Sequence, residues 1–350
     1  MNPFTPATIA PLAQQFGTPL WIYDADTITR QIAALRLFDV VRFAQKANSN
    51  THILRLMKRQ GVVVDSVSLG EIERALAGGF TPGLHNGHAD IVFTADLLDR
   101  ATLARVVELN IPVNCGSMDM LDQLGAVNPG HPVWLRINPG FGHGHSKKTN
   151  TGGEHSKHGI WHGDLVRACE KIKSNGLALQ GLHMHIGSGV DYAHLQEVCG
   201  AMLKLVEVVN AQGLDLHAIS AGGGLSVPYQ AGEPTIDTAH YFSLWDAARH
   251  AVERLLEHPV KLEIEPGRYL MAESGVLVTE VRATKQQGAN HFVMVDAGFS
   301  DLARPALYGA YHGMELIHSD GTAVNGLQFD TVVAGPLCES GDVFTQGDGG

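Results

Sequence analysis

Cysteine is scarce in this 350-residue chain, which has four, at 115, 169, 199 and 338, and no CxxC pair. Such scatter speaks against a disulfide framework and against a structural zinc site. Basic residues are also short: 25 Lys and Arg face 36 Asp and Glu, for a formal charge of −11. A phosphate-backbone binder needs a basic face, so nucleic acid is not an expected partner. No apolar run approaches the roughly 18 residues of a membrane span. The opening MNPFTPATIA has neither the cationic start nor the long apolar stretch of a secretory signal. A soluble, cytoplasmic chain with no membrane partner is expected. Internal repeats and low-complexity tails are missing as well.

What is present reads as globular. The chain is 44 % hydrophobic and 17 % charged, which argues against disorder and against a coiled coil. Forty glycines exceed the average share of about 7 % and point to tight turns or backbone-lined sites. The length calls for one large barrel or two domains.

Apolar runs of strand length alternate with amphipathic helical patterns. Eight strand candidates stand at 40–44, 62–66, 90–94, 111–115, 133–137, 179–186, 216–220 and 261–265. Between them, Ile53, Leu54 and Met57 form a helical face ending at Gly61, and Leu69, Ile72 and Leu76 follow a capping box of Ser68 and Glu71. Residues 191–212 place Leu195, Val198, Met202, Leu205 and Val209 on one face, and Gly213 stops the run. A further helix is expected over 26–38. The pattern predicts a closed (β/α)8 TIM-like barrel over residues 26–275, with an open doubly wound sheet as the alternative. After it, SGVLVTEVRA and HFVMVDAGF are strand-like with no good helix between them. A β-rich domain is therefore expected from residues 276–350 and 1–25, the latter contributing PLWIYD (19–24) as a strand. Residues 142–162, rich in Gly, His and Thr, form a loop too long for an ordinary connection.

Working residues of barrel enzymes sit at the carboxyl ends of the strands. Here Lys46 follows the first strand, His185 to Ser188 end the sixth, Gly222, Gly223 and Gly224 follow the seventh, and EPGR, with Glu265, Gly267 and Arg268, ends the eighth. Three glycines let backbone N–H groups approach an anion, although the tripeptide alone is equally a tight turn. Arg268 either completes the anion site or binds a carboxylate. Lys46 read alone is a solvated surface lysine. Inside a barrel mouth, however, a lysine can lose its proton and form an imine, and a phosphate site beside it points to the carbonyl of pyridoxal phosphate. Glu265 then faces the pyridine nitrogen, unless it merely pairs with an arginine, and His185 stacks on the ring.

Nineteen histidines raise a rival reading. HMH (183–185) and HGH (143–145) resemble the paired ligands of barrel metallohydrolases. Alternation in a strand puts His183 and His185 on one side, but no comparable case exists for the further ligands. His143, His145, His155, His158 and His162 then decorate a loop near the substrate.

Six motifs in order carry a family likeness: FAQKANSN (43–50), VDSVSLGEIERAL (64–76), HMHIGSG (183–189), GGGLSVPY (222–229), EPGRYL (265–270) and PLCESGD (336–342). Together they resemble the diaminopimelate decarboxylases, of the alanine-racemase-like fold type III of pyridoxal-phosphate enzymes. The resemblance covers the chain from about residue 15 to its last few residues. It implies decarboxylation of meso-2,6-diaminopimelate to L-lysine and carbon dioxide, the last step of lysine biosynthesis, by a homodimer with shared active sites. Lys46 is then the cofactor-bearing lysine and His185 the ring-stacking residue. Ser188, Gly222, Gly223 and Gly224 meet the phosphate, Glu265 holds the pyridinium, and Gly267 and Arg268 also touch the cofactor. Arg268 together with Arg304 and Tyr308 of ARPALY holds the distal carboxylate. Cys338 and Glu339 come from across the dimer, the first to protonate the carbanion and the second to pair with the distal ammonium.

Relatives include ornithine and arginine decarboxylases, so a decarboxylase for ornithine, arginine or a carboxylated polyamine is the same-fold alternative. A non-catalytic pyridoxal-phosphate-binding fragment is the other. Compared with the family pattern, the chain ends at Gly350, ahead of further strands and a Gly-Ala-Tyr loop. The expectation is an incomplete β domain with an open sheet edge and impaired turnover.

Overall fold

The computed structural model describes residues 3–142, 151–187, 192–322, 324 and 330–345. It has two compact units: a barrel unit of Asp26–Val227 and Ile236–Glu273, and a β unit of Met1–Ala25, Pro228–Thr235 and Ser274–Gly350. No helix among the described residues is long and apolar enough to cross a membrane.

In the barrel unit, eight strands pair side by side in sequence order: Val40–Ala44, Val63–Ser66, Ile91–Ala95, Val113–Cys115, Pro132–Asn138, Ala178–His183, Ala218–Ser220 and Lys261–Ile264. Every pairing is parallel, and the last strand returns to the first with Glu263 opposite Val40 and Ile264 opposite Val41. The ring is closed, so the doubly wound alternative is set aside. Strands covered by helices outside and filled by side chains inside are apolar on both faces. Phe43, Val64, Ile91, Val113, Leu135, Leu182, Ile219 and Leu262 are accordingly buried. The sixth strand ends at His183, so Met184, His185 and Ile186 belong to the loop after it rather than to a strand reaching 186.

One charged pair spans the closing seam. Arg42 donates through Nε and Nη2 to Oε2 of Glu263 at 3.1 and 2.9 Å, and through Nη1 to the carbonyl of Ala89 at 3.0 Å. Both side chains are buried. Glu263→Ala leaves the guanidinium without its anion, and the expected loss of stability is about 3–5 kcal/mol. A lowered urea midpoint with an unchanged slope is the measurement.

Local signals explain most helices. Thr51–Arg59 starts at Asn50, whose side chain accepts from His52 N, and Leu69–Gly78 starts at Ser68, which accepts from Glu71 N at 3.2 Å. The return half of the capping box is shifted, since the Glu71 carboxylate takes Val67 N at 2.7 Å rather than the cap residue. Tyr192–Ala211 closes near Gly213, whose φ of +70° suits glycine. The helix expected over 26–38 is Ala25–Ala33. Beyond it the chain tightens into three-residue turns, Leu35 N to Ile32 O and Phe38 N to Leu35 O, that still bury Leu35 and Phe38.

In the β unit, Leu20–Tyr23 pairs antiparallel with Gly275–Val278. Val281–Gln287 and Asn290–Val295 form a hairpin, and Thr331–Ala334 adds parallel to the latter. Val295, Ala297 and Phe344 centre its core, with Leu277, Val293, Leu302 and Val333 packed around them. Two features depart from the sequence reading. A helix, Pro6–Phe16, was not foreseen, although Thr5 and Thr8 cap it reciprocally and Pro6 opens it. Pro228–Thr235 groups with the β unit although it lies within 26–275; this Gly- and Pro-containing stretch has no period that would hold it in the barrel wall.

Candidate active site

Lys46 lies in a single turn, Gln45–Ala47, that continues the first barrel strand. Buried Gln45 anchors that turn, its Nε2 donating to Ser66 Oγ at 2.6 Å and to Glu71 O at 3.1 Å. Lys46 itself is left exposed at the rim. The turn is also tied to the loop after the last strand. Ala44 N donates to Pro266 O at 3.2 Å, and a Cβ on Gly267 would come within 3.3 Å of Ala44 and Ala47. Glycine there lets the two loops touch.

Beneath this rim lie charges. Glu265 is buried, accepts from Ser220 Oγ at 2.9 Å, and has Oε2 2.8 Å from His183 Nε2. Burial alone would raise its carboxyl, but the charge and contact of His183, the Arg42 guanidinium and the Ser220 hydroxyl hold it down at about 2. Asp65, at the end of the second strand, goes the other way. Burial, reinforced by the charge of Glu265, pushes it up to about 8, against Thr94, Lys46 and Arg42. Two buried carboxyls therefore share one region in opposite states, one ionised and one protonated at neutral pH. Arg136, buried near the end of the fifth strand, balances them; its charge acts on Asp65, Glu265 and His185.

Asp65 sets a measurable pH dependence. Its folded value lies above the unfolded 3.8, so the stability it contributes is full below 3.8 and is lost as pH rises towards about 8. In the cofactor-free chain, Asp65→Asn is expected to flatten this decline, read as the difference between urea midpoints at about pH 5 and about pH 8.

His185 follows the sixth strand. Burial, and then the positive charges of Arg136, Lys46 and His183, hold its imidazole well below the usual value, so it is neutral at physiological pH. The glycine loop faces it: a Cβ on Gly223 or Gly224 would stand 3.8 and 3.5 Å from His185 Cε1. The three glycines are also sterically required. A side chain at Gly222, Gly223 or Gly224 would collide with the carbonyl of Met184, Glu265 or Gly187 respectively, and Gly222 and Gly224 have φ of +63° and +100°. Arg268 is half-buried and opens the short helix Arg268–Met271. Lys46, His185, Gly222–Gly224, Glu265, Gly267 and Arg268 thus share the carboxyl end of one barrel. Ser188, His143 and His145 lie outside the described residues.

His158 and His162 have structural partners. His158 Nδ1 is 2.5 Å from Asp96 Oδ2, and His162 rests on Trp161 with ring centroids 4.7 Å apart. His183 and His185 do not form a metal pair, because His183 faces Glu265 while His185 has left the strand.

The remaining candidates belong to the β unit. Arg304 stacks over Tyr229 at 4.3 Å, and its Nη1 is 2.9 Å from His312 Nε2. Burial and the charge of Arg304 lower His312 to about 4, which leaves it a neutral acceptor for the guanidinium. Tyr308 ends the helix Arg304–Tyr308 and is 44 % exposed. Cys338 and Glu339 are exposed on a loop pinned by buried Asp342, which accepts from Phe299 N at 2.6 Å and Leu337 N at 2.8 Å. The sequence reading missed Asp65, Arg136, Ser220 and the partnership of His183 with Glu265. The available signal was a charge near the end of an apolar strand, in VVVDS and in VWLRI.

The family model for the pyridoxal-dependent decarboxylase pyridoxal binding domain matches residues 25–272. Diaminopimelate decarboxylase of Escherichia coli (strain K12) is 66 % identical over 340 residues, covering 97 % of this chain and 80 % of that protein. The Streptomyces coelicolor protein of the same name is 63 % identical over 342 residues, covering 98 % and 77 %. The chain belongs to the diaminopimelate decarboxylase family. A crystal structure of a diaminopimelate decarboxylase with 66 % identity superposes with a TM-score of 0.92 over 99 % of this chain and 81 % of that one. The Helicobacter pylori enzyme, solved in complex with L-lysine, gives 0.82 at 30 % identity over 96 % and 83 %. Members of this family are pyridoxal-phosphate enzymes, and this chain is one. Its barrel rim fits the cofactor: a glycine cradle closed to any side chain, an ionised buried carboxylate, and buried His185 Nδ1, His183 Nδ1 and Asp65 Oδ1 with no hydrogen-bond partner among the described residues.

Proposed function

We propose that the chain decarboxylates meso-2,6-diaminopimelate to L-lysine and carbon dioxide, the last step of lysine biosynthesis, with Lys46 as the amine that holds the cofactor. The observation that carries this reading is the juxtaposition of Lys46, the ionised buried Glu265 and the glycine cradle at one barrel end, in a chain 66 % identical to a diaminopimelate decarboxylase. When bound, pyridoxal phosphate supplies an electron sink for the pair left behind as carbon dioxide departs.

The protein's own residues do the rest. Gly222, Gly223 and Gly224, with Ser188, Gly267 and Arg268, hold the phosphate end, and a side chain at any of the three loop glycines would collide with a neighbouring carbonyl. Glu265 keeps a positive charge on the ring nitrogen, as its depressed pKa allows. Neutral His185 offers a flat, uncharged face for stacking.

The family resemblance carries the roles assigned in the β unit. Arg268, Arg304 and Tyr308 hold the distal carboxylate, Glu339 pairs with the distal ammonium, and Cys338 delivers the proton to Cα. Exposure of Cys338 and Glu339 supports their donation to a second copy, in a cytoplasmic homodimer whose residues 26–275 form the cofactor domain and whose residues 1–25 and 276–350 form the β domain. The L-lysine held by the Helicobacter pylori relative supports the product assigned.

The test is carbon dioxide release from meso-diaminopimelate by the purified chain with added pyridoxal phosphate, set beside ornithine and arginine. Release from the first alone is the expected result. Release from ornithine or arginine instead moves the assignment to the sister decarboxylases, and cofactor binding without any release leaves a binding fragment.

A further inference from the structure

The opposite end of the barrel carries a second cluster. Residues 215–217 lead into the strand Ala218–Ser220, and His258 leads into its parallel neighbour Lys261–Ile264. We propose that Asp215, His217 and His258 form a binding site for a divalent transition-metal ion of the zinc or nickel kind, at the amino end of the barrel and remote from the cofactor rim. One ligand atom from each of the three lies within 4.8 Å of the others. A mixed set of two imidazoles and one carboxylate suits such ions better than magnesium or calcium, which prefer oxygen alone.

Three features show the cluster to be oriented rather than accidental. His258 Nδ1 lies 3.0 Å from the carbonyl of Pro259. A carbonyl only accepts, so Nδ1 carries the hydrogen and Nε2 is the ligand atom, the outer-shell arrangement typical of metal-bound histidine. Nε2 in turn lies 2.8 Å from Asp215 Oδ1, the place where a proton now bridges the two and where an ion replaces it. Asp215 Oδ1 also accepts from Leu216 N at 2.8 Å, which aims the carboxylate. His217 is held close by its own backbone, whose carbonyl accepts from Lys261 N at 2.9 Å, and its ring centroid is 5.6 Å from that of His258. Three protein ligands leave a coordination position for water, and side-chain exposures of 56 % for Asp215 and 29 % for His258 open the cluster to solvent.

Binding displaces the bridging proton, so affinity rises with pH. The probe is ZnCl2, titrated calorimetrically into cofactor-loaded protein previously stripped with a chelator, with MgCl2 as control. Other histidines also take zinc, so the readout is a difference. The His217→Ala/His258→Ala double variant is expected to bind one equivalent fewer per chain than wild type, or to bind that equivalent at least tenfold more weakly. CoCl2 is expected to give a visible ligand-field band in wild type that the double variant lacks. Should the double variant fold poorly, His217→Gln, which touches neither hydrogen bond of His258, gives the same decision. Unchanged stoichiometry and affinity in either folded variant overturns the proposal.

Discussion

Replacing Lys46 with alanine is expected to lower carbon dioxide release from meso-diaminopimelate by about 10⁴-fold or more, close to 5.5 kcal/mol of barrel-mouth chemistry on the scale of about 1.4 kcal/mol per decade. The geometry makes this a clean test. Lys46 projects from a turn anchored by its neighbour Gln45 and by the Ala44–Pro266 hydrogen bond, none of which involves the lysine side chain. Thermal unfolding of the variant should therefore stay near that of the wild type. The cradle of Gly222–Gly224 is intact in the variant, so cofactor is still expected to associate, but borohydride should no longer trap it on the protein. Lys46→Arg is expected to fail equally, because a guanidinium cannot lose its proton to become a nucleophile. Activity within tenfold of wild type, or borohydride labelling of a different lysine in the wild type, removes Lys46 from its assigned role.

Glu265→Gln should be the next most damaging change, lowering kcat by about 10²- to 10³-fold, the usual cost of removing one preorganised charge from a buried site. The substitution nearly preserves volume and keeps an acceptor for the Ser220 hydroxyl, but it abolishes the negative charge that His183 and Arg42 stabilise. A glutamine cannot keep a ring nitrogen protonated. The fall is expected mainly in kcat, with KM little moved, because the substrate's own charges are met elsewhere. Glu265→Asp restores charge at a shorter reach and is expected to recover part of the loss. Equal falls in the Gln and Asp variants would point to packing rather than charge.

The barrel was legible because its strands are short apolar runs punctuated by caps and glycines, and each strand announces itself locally. Lys46, Glu265 and the three glycines were legible for a related reason: they stand just after strands, where the barrel architecture concentrates chemistry. Asp65 and Arg136 were not, since each sits near the end of a strand whose other residues argue only for burial. Their meaning arises from proximity to Glu265 across the barrel interior, 200 and 129 positions away in sequence, and no local pattern encodes such a pairing. Alternation joined His183 to His185 only in the rival metal reading, and that reading hid the partnership of His183 with Glu265. The strand in fact stops between the two histidines, and a one- or two-residue shift of a strand end is enough to turn two side chains apart. The helix Pro6–Phe16 went unseen because Pro11 inside it reads as a breaker, whereas the Thr5 and Thr8 cap compensates at its start.

Closure of the ring has a bearing on how the protein is made. Lys46 follows the first barrel strand and Glu265 the last, and the two strands pair in register at Val40–Val41 and Glu263–Ile264. During synthesis the chain emerges from its amino end, so every residue from the first strand to the last must leave the ribosome before that seam can form. Pairing across more than 200 residues is among the slowest steps a fold of this kind must complete. The full rim, with Lys46 and Glu265 side by side, is therefore expected to assemble late, once the barrel has closed.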